Sequence, residues 1–197
     1  RAEFEGAGPW GQMAFDHDGS LLAGTSDPSR MVRVWEVSTG RSIAVLDAGS
    51  EVRCVDFLRE GGLVSGSRDG VLRVWDLASG AVTRSWNAHQ QPIRSVCFDR
   101  ASVRLLTSSY DASARLWEAR SGAMLAEYTG RPTRTGIVGF DPTGKRIVNV
   151  WEAWSQELDA ATGAPQASIG SRRFVDFVVD GREPWRAYDN RQESYRW

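Results

Sequence analysis

The sequence lacks the residue patterns that mark most metal sites, disulfide scaffolds and membrane spans. Its two cysteines, Cys54 and Cys97, form no CxxC motif and are too few for a disulfide framework. The two histidines, His17 and His89, fall in different predicted loops and predict no metal site. No apolar run approaches the ~18 residues of a membrane span. We therefore expect no metal or other cofactor and no membrane partner.

Lysine is almost absent as well. Lys145 is the only lysine among 24 basic residues, and the net charge of the 197-residue chain is −1. A near-neutral chain creates no bulk field that would attract nucleic acid, which argues against a nucleic-acid partner. No signal peptide is visible, and both cysteines lie in apolar runs typical of buried, reduced thiols. These features predict a cytoplasmic location.

What the sequence does contain is an internal repeat. The string LVSGSRDGVLRVWDLASG at 63–80 has close copies at 23–40 and 106–122. A second marker, an apolar residue followed by any residue and then Phe, recurs five times at a similar spacing. A fixed period of about 40 residues is typical of repeat architectures, and here it predicts five units. One residue marks each unit: Trp35, Trp75, Trp117, Leu158 and Trp197.

Each unit is predicted to form four short strands separated by turns. Asp69 and Gly70 supply a tight turn between the second and third strands of the second unit. No stretch has convincing helical periodicity, so the chain is predicted to be all-β. The strands of the second unit are expected at about 52–57, 63–67, 71–76 and 82–86.

This pattern resembles the WD40 repeat family, through Trp75-Asp76 and the turn 65–70, and the resemblance covers nearly the whole chain. It implies a β-propeller of four-stranded antiparallel blades around a central channel. The strand count predicts a single domain over 1–197 with about five blades, in which a first strand at 2–6 pairs with the last blade and closes the ring. The alternative is part of a larger ring, for example one of seven blades, whose unpaired blade edges would allow oligomerisation.

The resemblance also implies hydrogen-bonded side chains that build the blades. Ser108 or Ser109 is expected to supply the hydroxyl group of the third unit. A hydrolase interpretation of the His, Asp and Ser in the third unit is disfavoured because the repeat explains these residues, and we predict no enzyme activity. The other members of the hydrogen-bonded sets are His89, Asp111 and Trp117 in the third unit and Asp69 and Trp75 in the second.

One rim of such a propeller is the expected partner-binding face. In the family, the loops between blades and the turns between second and third strands share this rim. The positions that point onto it are rich here in arginine and large aromatic residues, which interface hot spots use. The predicted rim site consists of Arg53, Arg68, Arg94, Tyr110, Arg134, Trp151, Arg173 and Tyr188.

We hypothesise a protein-interaction scaffold, or a sensor or regulatory module, that binds an acidic or phosphorylated peptide of a protein partner on this rim. Convergent arginines suit carboxylate and phosphate groups. A general abundance of arginine would produce the same cluster without any binding role. Two other functions stay open, a nucleic-acid-binding propeller that uses the arginines and a propeller that binds a small ligand or a glycan at the channel mouth.

Overall fold

The computed structural model describes residues 10–26, 29–129, 136–141, 143–151, 154–162, 164–170, 186–188 and 194–196. Every regular element within these ranges is a β-strand. In these ranges the strands form four four-stranded antiparallel sheets and one two-stranded sheet. The predicted all-β class is therefore confirmed. The strands of each four-stranded sheet lie side by side in chain order, as expected for propeller blades.

The strand bounds repeat from sheet to sheet, and the four expected strands of the second unit are all present. The first sheet contains β1 (Trp10–Phe15), β2 (Leu21–Ser26), β3 (Met31–Glu36) and β4 (Ser42–Asp47). The second contains β5 (Val52–Phe57), β6 (Gly62–Ser67), β7 (Val71–Asp76) and β8 (Val82–Asn87). The third contains β9 (Ile93–Phe98), β10 (Arg104–Ser109), β11 (Ser113–Glu118) and β12 (Met124–Thr129). The fourth contains β13 (Ile137–Phe140), β14 (Arg146–Trp151), β15 (Trp154–Asp159) and β16 (Pro165–Gly170). The two-stranded sheet pairs β17 (Arg186–Tyr188) with β18 (Ser194–Arg196).

The unit markers occupy one register position on the third strand of each four-stranded sheet. This regularity confirms the period that the sequence predicts for these four units. The fifth marker, Trp197, and the predicted strand at 2–6 lie outside the described residues, so closure of the ring remains a prediction. The paired residues are Leu22 and Trp35, Leu63 and Trp75, Leu105 and Trp117, and Ile147 and Leu158.

Apolar cores lie between successive sheets rather than within one. Trp75 and Leu63 of the second sheet pack with Val34 and Leu46 of the first, all at most 7% exposed. Equivalent clusters join the second sheet to the third and the third to the fourth. A four-stranded sheet cannot bury both faces alone, so stacking against its neighbours supplies the core. Cys54 and Cys97 are free thiols in this interior, and burial raises the pKa of both.

The two ends of the blades carry different connections because consecutive strands are antiparallel. At one end lie the loops between sheets, including 48–51 and 88–92, and the turns between second and third strands, including 68–70 and 110–112. This end is called the rim below. The other end, called the lower end, carries the remaining turns, including 58–61 and 99–103.

Candidate functional site

His89 joins a loop of the rim to the interior of the third blade. Its Nδ1 atom lies 2.9 Å from Oδ2 of Asp111, in the turn 110–112. Its Nε2 atom lies 2.8 Å from Oγ1 of Thr107 in β10. The same hydroxyl oxygen accepts a hydrogen bond of 2.9 Å from Nε1 of Trp117. The structure thus brings together the predicted His, Asp and Trp, with Thr107 as the hydroxyl group.

The hydrogen-bond chain defines one protonation pattern. Burial lowers the pKa of His89 although Asp111 acts in the opposite direction, so the ring is neutral at pH 7. Burial would raise the pKa of Asp111, but hydrogen bonds from Ser113 and His89 outweigh this effect and lower it. The ionised carboxylate can only accept, so Nδ1 carries the proton and Nε2 accepts from the Thr107 hydroxyl. That hydroxyl oxygen is then free to accept from Trp117.

The expectation that Ser108 or Ser109 supplies this hydroxyl is wrong. Ser108 donates a hydrogen bond of 2.7 Å to the carbonyl oxygen of Gly136, and Ser109 donates one of 3.0 Å to that of Gln91. Side chains alternate between the faces of a strand, so only residues two apart share a face. Because Trp117 lies opposite Leu105, Thr107 lies on its face of the sheet and Ser108 does not.

The second blade uses a shorter version of this arrangement. Nε1 of Trp75 donates to Oγ of Ser65 at 2.9 Å, at the positions of Trp117 and Thr107 one unit later. Asp69 has no histidine partner and instead accepts a hydrogen bond of 2.8 Å from Arg73. Both sets therefore anchor a strand or a turn of a blade.

The His–Asp–hydroxyl grouping of the third blade has no access to a substrate. The His89 side chain has no exposed surface, and both ring nitrogens already have partners inside the blade. A general base must reach a proton of the bound substrate, which this ring cannot do. Among the described residues, no three His, Cys, Asp or Glu side chains are grouped closely enough to hold a metal ion.

Two of the predicted rim arginines share one carboxylate. Glu51 lies in the loop 48–51, with its Oε1 atom 2.7 Å from Arg53 and its Oε2 atom 2.9 Å from Arg68. The hydrogen bond from Arg68 is the largest cause that lowers the pKa of Glu51. A backbone hydrogen bond of 2.7 Å from Arg68 to the Glu51 carbonyl oxygen fixes the turn against the loop. The Arg68 side chain remains 63% exposed, whereas Glu51 is 13% exposed.

The third predicted arginine, Arg94, stacks on an exposed aromatic side chain of its own blade, the third. The guanidinium carbon of Arg94 lies 5.6 Å from the ring centre of Tyr110, within the range of a cation–π contact. Tyr110 is 50% exposed, and its backbone N–H donates to the carbonyl oxygen of Pro92. Loop, turn and side-chain contacts thus hold both residues on the rim.

The other four predicted rim residues are described in part or not at all. Trp151 is the last residue of β14 and Tyr188 the last of β17. Arg134 and Arg173 lie outside the described residues. The partner-binding role of all eight positions remains a prediction.

Comparisons with known proteins agree with the repeat and its register. Residues 40–76 and 80–118 match the family described as WD domain, G-beta repeat. These two segments are WD40 repeats. Over the described residues, four-stranded antiparallel sheets with the marker residue on each third strand are the architecture that these repeats imply.

Several curated proteins are similar to part of the chain. Mitochondrial division protein 1 of Schizosaccharomyces pombe is 35% identical over 107 residues, covering 44% of this chain and 16% of the relative. WD repeat and SOCS box-containing protein 1 of Mus musculus is 37% identical over 93 residues, covering 45% and 22%. Myosin heavy chain kinase C of Dictyostelium discoideum is 27% identical, covering 37% and 9%. The matches thus span less than a quarter of each of these relatives.

A solved structure is similar in fold. A chain in the crystal structure of the mitotic checkpoint complex superposes with a TM-score of 0.74 at 19% identity, covering 81% of this chain and 50% of that chain. At this identity the likeness concerns the fold alone. Within the described residues there is no helix with the length and apolar character needed to span a bilayer.

Sequence reasoning about the WD40 rim missed the role of Glu51. The sequence places this acid two residues before Arg53, a spacing that puts both side chains on one face of an extended segment. That local signal could have predicted the first ion pair. The second, to Arg68, joins a loop and a turn 17 residues apart and needs the tertiary structure.

Proposed function

We propose that this WD40 chain binds an acidic or phosphorylated peptide of a protein partner on its rim. WD40 repeat proteins are generally protein-interaction scaffolds, so the proposal concerns the location of the binding surface and the chemistry of the ligand. The supporting observation is the group of Arg53, Arg68 and Arg94, which Glu51 and Tyr110 hold in place.

The charge of this group favours an anionic ligand. Glu51 pairs with Arg53 and Arg68, and Arg94 adds a third guanidinium, so the three arginines exceed this carboxylate by two positive charges. In the two adjacent turns, Asp69 is paired with Arg73, whereas Asp111 binds the neutral His89 and Ser113 and keeps its negative charge. With these groups counted, four arginines still outnumber three carboxylates. A positive surface on a chain of net charge −1 is a local feature rather than a general one.

The geometry favours a peptide with a side-chain carboxylate or phosphate group. Arg68 commits one nitrogen to Glu51, and its guanidinium has further N–H donors for a two-point contact with an oxyanion. Tyr110 offers a flat, half-exposed ring beside Arg94, which suits the apolar part of a peptide. A rigid scaffold that presents such residues on loops is typical of recognition surfaces.

The test uses the double variant Arg68→Glu with Arg94→Glu. Binding to an array of acidic and phosphorylated peptides is measured first, and fluorescence anisotropy then gives the affinity for the strongest peptide. We expect a loss of about tenfold or more, because each arginine would supply a charge-assisted hydrogen bond and a glutamate would repel the ligand.

The matched control is Arg41→Glu with Arg120→Glu. Both arginines are exposed on turns of the lower end, so this variant has the same net charge and leaves the rim unchanged. It should retain the affinity of the parent chain. Equal binding by the folded rim variant, or equal losses in the two variants, would show that the rim is not the binding surface.

A further inference from the structure

A second positively charged site lies at the lower end, where the turns of three consecutive blades meet. These turns border an open surface cleft of about 410 Å³. Arg59 comes from the turn 58–61, Arg100 from the turn 99–103 and Arg104 from the start of β10. Thr143 and Gly144 of the next blade complete the wall.

The charges that line this cleft are unequal. Its lining holds three arginines and one acid, Asp99, which binds Nε of Arg104 at 2.9 Å. Arg59 and Arg100 are exposed, and neither has a carboxylate partner among the described residues. One nitrogen of the Arg59 guanidinium donates a long hydrogen bond of 3.4 Å to the carbonyl oxygen of Arg100. The remaining N–H donors of Arg59 and the guanidinium of Arg100 are available to a ligand.

Side-chain hydrogen bonds tie the three turns together. The backbone N–H of Arg59 donates to Oγ of Ser102 at 3.0 Å, which joins the second blade to the third. A nitrogen of Arg104 donates to the carbonyl oxygen of Gly144 at 2.5 Å, which joins the third blade to the fourth. The walls of the cleft are thus fixed to one another and need little rearrangement to accept a ligand.

Ser102 contributes a side chain to the turn 99–103 at a position where the neighbouring turns have glycine. Its φ of 54° lies in the left-handed region, where the corresponding positions of the neighbouring turns hold Gly61 (φ 92°) and Gly144 (φ 67°). A residue with a Cβ is disfavoured there, although Ala112 also adopts this region, with φ of 66°. The serine provides the hydroxyl group that holds Arg59, which glycine could not do.

We propose that this cleft binds the phosphate group of a small polyanion. A carboxylate is planar and can be satisfied by one guanidinium fork, whereas a phosphate presents oxygens in several directions and carries up to two charges. Arg59 and Arg100 come from different blades and together supply two positive charges to one cleft, which suits the second pattern. The site is separate from the rim and does not depend on the peptide-binding function.

The probe for this site is sodium tripolyphosphate, titrated at physiological ionic strength and followed by calorimetry and by phosphorus NMR. The full chain should bind it at one site in the cleft. The variant Arg59→Ala with Arg100→Ala should lose about tenfold or more in affinity, as expected when two charge-assisted contacts are removed. Citrate, a trianion with carboxylates only, should bind more weakly than tripolyphosphate.

Two variants with the same net charge serve as controls. Arg68→Ala with Arg94→Ala alters the rim, and Arg41→Ala with Arg120→Ala alters exposed turns that do not line the cleft. Both should stay within about twofold of the parent chain if the cleft is the site. A loss that is equal in all three variants, or confined to the rim variant, overturns the proposal.

Failure of the parent chain to bind tripolyphosphate also overturns the proposal, and equal affinity for citrate overturns its phosphate chemistry. Urea unfolding checks that each variant is folded. If the cleft variant is unstable, Arg100→Gln replaces it, because the Arg100 guanidinium makes no hydrogen bond to the described residues. Loss of affinity in that single variant would support the site, and unchanged affinity would contradict it.

Discussion

Replacing Thr107 by valine should destabilise the third blade by about 2–6 kcal/mol. Valine keeps the branched shape and removes the hydroxyl group, so His89 Nε2 and Trp117 Nε1 lose their partners at 2.8 and 2.9 Å. Each buried polar group left without a partner costs about 1–3 kcal/mol, and two groups are affected here. His89 and Trp117 are both at most 5% exposed, so water cannot replace the hydroxyl without rearrangement.

Urea unfolding measures this cost as a fall in the midpoint at an unchanged m-value. Two other variants should lower the stability by smaller amounts. Ser65→Ala leaves one unpaired donor, Nε1 of Trp75, and should cost about 1–3 kcal/mol. Thr107→Ser keeps the hydroxyl and removes one methyl group, which should cost about 1 kcal/mol.

The order of the three variants is the decisive result. Thr107→Val should be the least stable, Ser65→Ala intermediate and Thr107→Ser the most stable. If Thr107→Val costs no more than Thr107→Ser, the hydroxyl does not carry the hydrogen-bond chain and the protonation pattern derived for His89 is wrong.

Three further perturbations test the blades. Trp75→Ala should cost about 3–5 kcal/mol through lost burial and a cavity, and an unchanged melting temperature would contradict the blade assignment. Gly70→Ala should lower the stability far more than Gly19→Ala. Both glycines have φ of 78°, but a Cβ at Gly70 would lie 2.1 Å from the His89 carbonyl oxygen, whereas a Cβ at Gly19 would meet open space. Equal urea midpoints for the Gly70→Ala and Gly19→Ala variants would contradict this prediction. Burial raises the pKa of Asp56 to about 6, despite hydrogen bonds from backbone N–H groups. A carboxyl whose folded pKa exceeds its unfolded value of about 3.9 loses stability as the pH rises between the two. The stability of the neutral variant Asp56→Asn relative to the parent should therefore increase as the pH rises from about 4 to about 7. Urea midpoints of the two proteins that change in the same way with pH would contradict this.

Much of the architecture could be predicted from the repeat alone. The tryptophan spacing located the third strands of three blades, and Leu158 occupies the equivalent register position in the fourth. Turn residues such as Gly70 and Gly80, both at positive φ, located the ends of strands. These signals are local, since each depends on residues within one hairpin.

The candidate sites depended on contacts that no local pattern contains. The sequence marked Arg53 and Arg68 as rim residues, but it did not show that one glutamate holds both. Arg59, Ser102 and Arg104 carried no signal, because the lower-end cleft exists only where three separate turns meet.

The sequence by itself determined the period, the all-β class and the residues that turn the chain, because periodicity and turn chemistry act over a few residues. Only the tertiary structure decided which hydroxyl pairs with Trp117. A strand reverses the face of its side chains at every residue, so the identity of Thr107 depends on the register between β10 and β11. Likewise, only the packing of one blade against the next decided which arginines are already paired and which remain available to a ligand.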